Sequence, residues 1–181
     1  DKINKYYLDH KKVTTKNKSL MANLNRWSKL INERQFSQIK IVYNNSGSIL
    51  SAAVIQGDFL VTGDLSFYST DDLEEAYYLS AVLNSNLLNK QIKIKKSSRH
   101  IFKIPFEIPI QKYDPMNKSH QNLAQLGIQG EKLGKSLIKE TNSKKKEQIS
   151  RYKLQKILSE KLKPILTEID EFLNPQFFNS K

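Results

Sequence analysis

The 181-residue chain contains no cysteine. Disulfide bridges, thiolate zinc sites and a cysteine nucleophile are therefore excluded, and the absence fits a reducing compartment. No apolar run approaches the ~20 residues that a membrane-spanning helix needs, and the first residues carry no secretory signal. We therefore expect a cytoplasmic protein without a membrane partner.

Catalytic motifs are also missing. The six glycines form no GxGxxG or Walker arrangement, and no GxSxG or HExxH sequence occurs. The histidines at 10, 100 and 120 do not share a metal-binding pattern, and His120 is interpreted as a capping or surface residue near a helix start. The sequence predicts no metal site and no catalytic residue in this chain.

Two further segments have an apparent link to catalysis but a simpler structural interpretation. The acidic residues from Asp71 to Glu75 lie at a predicted helix start, where anions stabilise the helix dipole, and none is followed by the lysine that a PD-(D/E)xK nuclease needs. Residues 174–177 read Asn-Pro-Gln-Phe, in which Gln176 stands where amino-methyltransferases carry a second proline. We interpret that segment as the break after the last helix.

Positive charge is what the chain has in excess. Its 30 Lys and Arg residues outnumber its 18 Asp and Glu residues, and the net charge is +12. Residues 86–103 include six basic side chains and no acid, whereas residues 58–75 include six acids and no base. Such an excess attracts phosphate polymers, so we predict that one face meets phosphate and that another is turned away.

Hydrophobic patterning predicts an α+β fold, with a small, mostly antiparallel sheet, packed helices and a long C-terminal helical arm. Residues 1–38 favour short helices joined by a polar stretch. Four short runs about ten residues apart predict strands at 40–43, 49–55, 59–62 and 65–68. A helix is then predicted from Thr70, as its N-cap, to about Asn89.

The sequence pattern changes in the second half of the chain, where a proline-containing segment precedes two segments of helical periodicity. Prolines at 105, 109 and 115 favour extended chain or an edge strand. Residues 117–141 and 144–173 both show helical periodicity, and Pro164 is the candidate site of a kink in the second helix. We divide the chain into an α+β domain over 1–116, with its helical lead-in, and a helical spacer or docking arm over 117–181.

One stretch carries specific motifs. Residues 75–85 read EAYYLSAVLNS, residues 98–105 read SRHIFKIP and residues 107–110 read EIPI. Together they resemble the target-recognition region of adenine-N6 DNA methyltransferases of type II and combined restriction–modification systems, and related motifs occur in type I specificity subunits. The Asn-x-Ser-Gly sequence at 44–47 and the tail at 165–170 extend the resemblance over about residues 40–173.

The resemblance implies what the chain does and what it lacks. It implies sequence-specific DNA recognition by a C-terminal target-recognition domain that is not catalytic by itself. The parent would be a site-specific adenine DNA methyltransferase, with or without an endonuclease, whose separate catalytic domain binds S-adenosylmethionine. We read the chain as a piece of that longer protein, which binds no cofactor of its own. Its expected partners are double-stranded DNA and the parent's catalytic domain or subunit.

Two segments are predicted to face DNA, the loop 43–48 and the basic segment 90–103. Asn44, Asn45 and Arg99 are the candidates for base contact, because amide and guanidinium groups can pair with base edges. The full set of predicted DNA-binding residues is Lys40, Tyr43, Asn44, Asn45, Ser46, Lys93, Lys95, Lys96, Ser97, Ser98, Arg99, His100 and Lys103.

Each of these residues also has a structural interpretation. The asparagines can serve the turn alone, Arg99 and His100 can brace the proline-containing segment, and the lysines can be a solvated edge that guards a strand. Two other functions stay open. The helical arm can dock a separate methyltransferase or nuclease subunit, or join copies of the chain, and an RNA-binding protein is a third interpretation that lacks the expected aromatic pairs.

Overall fold

A three-stranded antiparallel sheet forms the centre of the computed structural model, which describes residues 2–16, 19–28, 32–143 and 150–178. The strands are β1 (Ile39–Asn44), β2 (Ala52–Gln56) and β3 (Leu65–Thr70), in the order β2-β1-β3. Ile41 of β1 faces Val54 of β2 and Tyr68 of β3 in the register. The described residues also form α-helices, several of which share one buried core with this sheet, and the predicted α+β class is confirmed.

The helices fall into three groups along the chain. Helices α1 (Lys2–His10) and α2 (Leu20–Leu24) form the lead-in, which confirms the short helices expected there. Helices α3 (Leu73–Asn84) and α4 (Asn86–Lys95) follow the sheet, and α5 (Lys118–Ser143) and α6 (Arg151–Phe178) form the C-terminal part. Short 3-10 turns occur at Arg26–Ser28, Glu33–Phe36 and Ile104–Glu107.

The strand predicted at 59–62 does not form. Phe59 and Leu60 are exposed there, and Val61 alone points inward. The side-chain amide of Gln35 accepts from Val61 N at 3.0 Å and donates to Val61 O at 2.7 Å, so it replaces a neighbouring strand. A run of β-forming residues is therefore not enough to predict a strand here, because the backbone groups of Val61 bond a distant side chain instead of a neighbouring strand.

The helix predicted from Thr70 to about Asn89 is two helices with a different start. Asp72 is the N-cap of α3, and its carboxylate accepts from Glu74 N and Glu75 N, whereas Thr70 ends β3. Ser85 adopts an extended backbone, ends α3 and caps α4 by accepting from Leu88 N at 3.1 Å. The basic segment thus begins as a helix, and the extended chain expected near the prolines is interrupted by the 3-10 turn Ile104–Glu107.

Two asparagines protect the open edge of β2. Asn84 donates to Ala52 O at 2.9 Å and accepts from Ala52 N at 3.0 Å. Asn89 accepts from Leu50 N at 2.7 Å and donates to Leu50 O at 3.3 Å. The two amides therefore satisfy backbone groups that an edge strand would otherwise expose, and they fix α3 and α4 against the sheet.

Helix α3 packs between the sheet and the C-terminal helices. Its Tyr78, Val82 and Leu83 are almost fully buried. A Cβ atom at Gly127 of α5 would lie 2.4 Å from Tyr77 O, so only glycine permits this close crossing of α3 and α5.

The arm predicted over 117–181 shares the main core. Leu123, Ala124 and Leu126 of α5 and Ile169 and Leu173 of α6 belong to the same buried cluster as the sheet residues. The first part of α5 and the last part of α6 are thus packed against the α+β region. Within the described ranges, no helix combines the length and apolar character needed to cross a bilayer.

The ends of the long helices differ in part from the prediction. Helix α6 continues through Pro164 and through residues 174–177, so the Asn-Pro-Gln-Phe segment does not follow the last helix but belongs to it. A proline removes one helical hydrogen bond, and the packing of Ile169 and Leu173 into the core offsets that loss. Residues 144–149 of the predicted second helix lie outside the described residues.

Candidate nucleic-acid interface

The two segments predicted to face DNA lie side by side. Gly47 N donates to Arg99 O at 2.9 Å, and Ile101 N donates to Asn45 O at 2.7 Å. Ser46 and His100 form an antiparallel bridge between the same segments. The turn after β1 and the chain after α4 are about fifty residues apart in sequence, yet backbone hydrogen bonds join them into one surface. We call the exposed side chains of 90–103 and this turn the basic surface.

Lys96 holds the two segments together. Its ammonium group donates to Gly47 O at 2.7 Å and to Ser48 O at 3.3 Å, and its side chain is half-buried. These bonds tie the end of α4 to the turn that follows β1. Among the four predicted phosphate-binding lysines of residues 90–103, Lys96 is therefore the one with an evident structural role.

The asparagines of the turn are engaged by neighbouring groups. Asn44 donates to Ser46 O at 2.7 Å and to Ile49 O at 3.0 Å, and it accepts from Ser51 N at 2.7 Å. Asn45 accepts from the Ser66 hydroxyl through its side chain. Both amides thus shape the turn in the free protein, which is the structural interpretation given above for them.

Two predicted contact residues lie inside the protein. Lys40 is 1% exposed, and its ammonium donates to Ser37 O. Tyr43 is also buried, its hydroxyl donates to Phe102 O at 2.9 Å, and burial raises the pKa of that hydroxyl. A phosphate cannot reach either group while these bonds persist, so we leave both out of the basic surface.

The other predicted residues are exposed and carry unbalanced charge. Side chains open to solvent are Lys93, Lys95, Ser97, Ser98, Arg99, His100 and Lys103. An ion pair in the described part of the chain joins Lys135 to Glu131, far along α5. None of the cations of the basic surface forms an ion pair with a described carboxylate, so they remain available to phosphate groups.

The acidic segment lies mostly at the other end of the sheet. Asp58 accepts from Gln38, just before β1, and Asp72 follows Thr70, the partner of Ile39 in β3. The basic surface instead adjoins Asn44, at the far end of β1. Six residues of strand separate these ends by about 20 Å.

An open depression of about 590 Å³ lies within the basic surface. Lys95, Ser97, Ser98, Lys103 and Glu107 are among the residues that line it. His100 and Phe102 provide its aromatic lining. The residues around the depression therefore include basic, hydroxyl-bearing, acidic and aromatic side chains.

Phe102 was not identified from the sequence. Its φ of 40° is in the left-handed region, which is rare for a bulky side chain and costs about 1–3 kcal/mol. Burial of the preceding Ile101 and the bond from Tyr43 to Phe102 O hold this conformation. The ring stacks on His100, with centroids 4.9 Å apart and planes inclined by 17°. The sequence marks this position only through its basic neighbours Arg99 and Lys103, which were predicted to bind DNA.

A separate polar cluster surrounds His120, which is buried and not a surface residue as expected. His120 Nδ1 accepts from Asp114 N at 3.0 Å, and its Nε2 bonds Gln111 Oε1 at 3.1 Å. The ring lies 4.7 Å from that of Tyr78, a contact between α5 and α3 that sequence spacing does not reveal. Burial lowers the pKa of His120, an effect that Asp114 opposes, and burial raises the pKa of Tyr78 to about 12.

The described residues contain no group of three or more His, Asp or Glu side chains placed to hold a metal ion. Comparison of the chain with protein families, curated proteins and solved structures finds no match. The geometry of the basic surface is therefore the main guide to function.

Proposed function

We propose that the chain binds double-stranded DNA and recognises its sequence, as the target-recognition domain of an adenine-N6 DNA methyltransferase or restriction–modification enzyme. In this proposal, a separate domain or subunit binds S-adenosylmethionine and catalyses the methyl transfer. The observation that carries the proposal is the joining of the turn after β1 to the basic segment after α4, with its cations exposed and free of ion pairs in the described structure.

The distribution of charge supports a polyanionic partner. Lys93 and Lys95 lie near the C-terminus of α4, and Arg99 and Lys103 extend the positive charge along the following segment. Five of the six acids of residues 58–75 lie near the opposite end of the sheet, away from an approaching duplex, whereas Asp64 adjoins the turn. Such a surface can meet several phosphates at once, and release of their counterions drives binding.

The residues divide into two expected roles. Lys93, Lys95 and Lys103 would contact phosphates and so set the position of the domain without reading sequence. Arg99 is the strongest candidate for base readout, because it is exposed and its backbone carbonyl is fixed by Gly47 N. The turn asparagines would contribute to readout only by exchanging their internal hydrogen bonds for bonds to bases.

The salt dependence of duplex binding tests the phosphate contacts. The triple variant K93A/K95A/K103A should lower the slope of log affinity against log salt by about 3, at roughly 0.9 per phosphate contact. The control K153A/K156A/K163A removes the same charge from exposed positions on α6. Equal slopes for the two triple variants would contradict the proposed surface.

The second candidate function is docking of a separate methyltransferase or nuclease subunit by the helical arm. Ile138 of α5 and Tyr152 of α6 favour it, because these large side chains are 41% and 77% exposed near the connection between the helices. A double change to lysine at these positions should then abolish co-purification with the partner subunit and leave DNA affinity unchanged. Light scattering of the wild-type chain separates this docking from self-association through the same helices.

A further inference from the structure

The Phe102 ring has an outward position that the core does not require. Ile101 fills the interior at this point and is 0% exposed, whereas Phe102 is 49% exposed. The backbone at Phe102 is left-handed, and the Tyr43 hydroxyl donates to Phe102 O at 2.9 Å. An aromatic ring held in a strained conformation at the surface is a feature that often accompanies a binding role.

The surroundings of this ring have the chemistry of a nucleotide site. Stacked His100 restricts the ring from one side and extends the aromatic surface. Lys95 and Lys103 line the same depression and supply positive charge for a phosphate. Ser97 and Ser98 offer hydroxyl groups, and the Glu107 carboxylate can accept from an exocyclic amino group of a base.

The size of the depression agrees with this chemistry. Its volume of about 590 Å³ lies in the range of roughly 300–1,000 Å³ that is usual for small-molecule sites. A paired base within a duplex cannot stack on Phe102, because both of its faces are covered by neighbouring base pairs. A base that has left the stack exposes a face, and aromatic side chains bind such faces with little dependence on sequence.

We propose that this depression holds one unstacked nucleotide of the bound DNA, with its base against the Phe102 ring and its phosphate near Lys95 and Lys103. The inference rests on the proposed DNA-binding function and adds that the bound duplex is locally opened. Phe102 is then a contact residue for any base, and Arg99 remains the residue that discriminates among sequences.

The test uses the full chain and two short duplexes of the same sequence, one fully paired and one with a single bulged 2-aminopurine. We expect the bulged duplex to bind about tenfold more tightly, which is the typical effect of one base stacked on an aromatic side chain. The fluorescence of 2-aminopurine should fall on binding. F102A should remove both effects, and F102Y should restore them.

Phe59 provides the matched control. It is another exposed phenylalanine, 56% accessible, and its amide bonds Gly57 O near the opposite end of β1. F59A should leave the preference for the bulged duplex intact. Circular dichroism of each variant establishes that the fold is retained.

The outcomes separate the inference from the proposed function. Binding of the paired duplex with no preference for the bulge, or a preference that F102A leaves unchanged, would overturn the inference and leave the proposed function standing. Failure to bind either duplex would overturn both. A preference lost in F102A and restored in F102Y would support both.

Discussion

Replacing Asn84 with alanine should loosen the attachment of α3 to the sheet. The change removes the bonds to Ala52 N and Ala52 O, at 3.0 and 2.9 Å, and a third bond to Ser80 O at 2.8 Å. A typical hydrogen bond contributes about 0.5–1.5 kcal/mol, and Ala52 is half-buried, so water replaces part of what is lost. We expect a loss of about 2 kcal/mol in the free energy of unfolding.

Urea denaturation followed by circular dichroism measures this loss. In a thermal scan the same change should lower Tm by about 4–8 °C, as expected for a chain of this size. N86A is the matched control, because Asn86 is exposed and its side chain makes one bond, to Asp170 Oδ2 at 2.9 Å. That variant should lose less than about 0.5 kcal/mol. Equal losses in N84A and N86A would refute the view that Asn84 protects the edge of β2.

Three further predictions concern the basic surface and the buried histidine. The unfolding free energy should fall as the pH is lowered from about 7 to about 5, because burial lowers the pKa of His120 and the unfolded chain therefore binds a proton more readily than the folded chain. In H120Q this contribution should vanish, so an equally steep pH dependence in H120Q and wild type, measured by urea titration, would contradict it. K96M should lose about 1 kcal/mol in the same assay because Lys96 bonds Gly47 O and Ser48 O, whereas the exposed K93M should change by less than about 0.5 kcal/mol. F102G should be more stable than F102A by about 1 kcal/mol, since glycine tolerates a φ of 40°, and the reverse order would show that the backbone there is not strained.

The general fold could be predicted because its signals are local. The short β-forming runs at 40–43, 49–55 and 65–68 predict strands of an antiparallel sheet, and an acidic helix start follows β3. The prediction of a strand at 59–62 was wrong because the side-chain amide of the distant Gln35 bonds the backbone N–H and C=O groups of Val61. No local pattern contains that information.

The sequence around α4 is ambiguous for a physical reason. Ile92 and Ile94 alternate with lysines, which is typical of an edge strand, whereas Leu88 and Ile92 are four residues apart, as on one face of a helix. Burial of Leu88 and Ile92, together with the Ser85 cap, favours the helix. Ile94 is consequently 83% exposed.

The candidate site could be located only approximately from the sequence. Clustering of positive charge correctly indicates which segments are rich in exposed cations, but it cannot reveal that Lys40 is buried, because lysine is rarely found inside a protein. Nor does it reveal the exposed stack of Phe102 on His100, which depends on a left-handed backbone. Whether the remaining residues contact DNA stays a prediction.

Selection from a randomised pool of duplexes tests sequence recognition most directly. The chain should enrich a common motif, and the selected duplex should bind at least about 1,000-fold more tightly than a scrambled one. R99A should reduce that discrimination by about 1–3 kcal/mol while F59A does not. Enrichment of no motif, with equal affinity of the wild-type chain for selected and scrambled duplexes, would contradict the account.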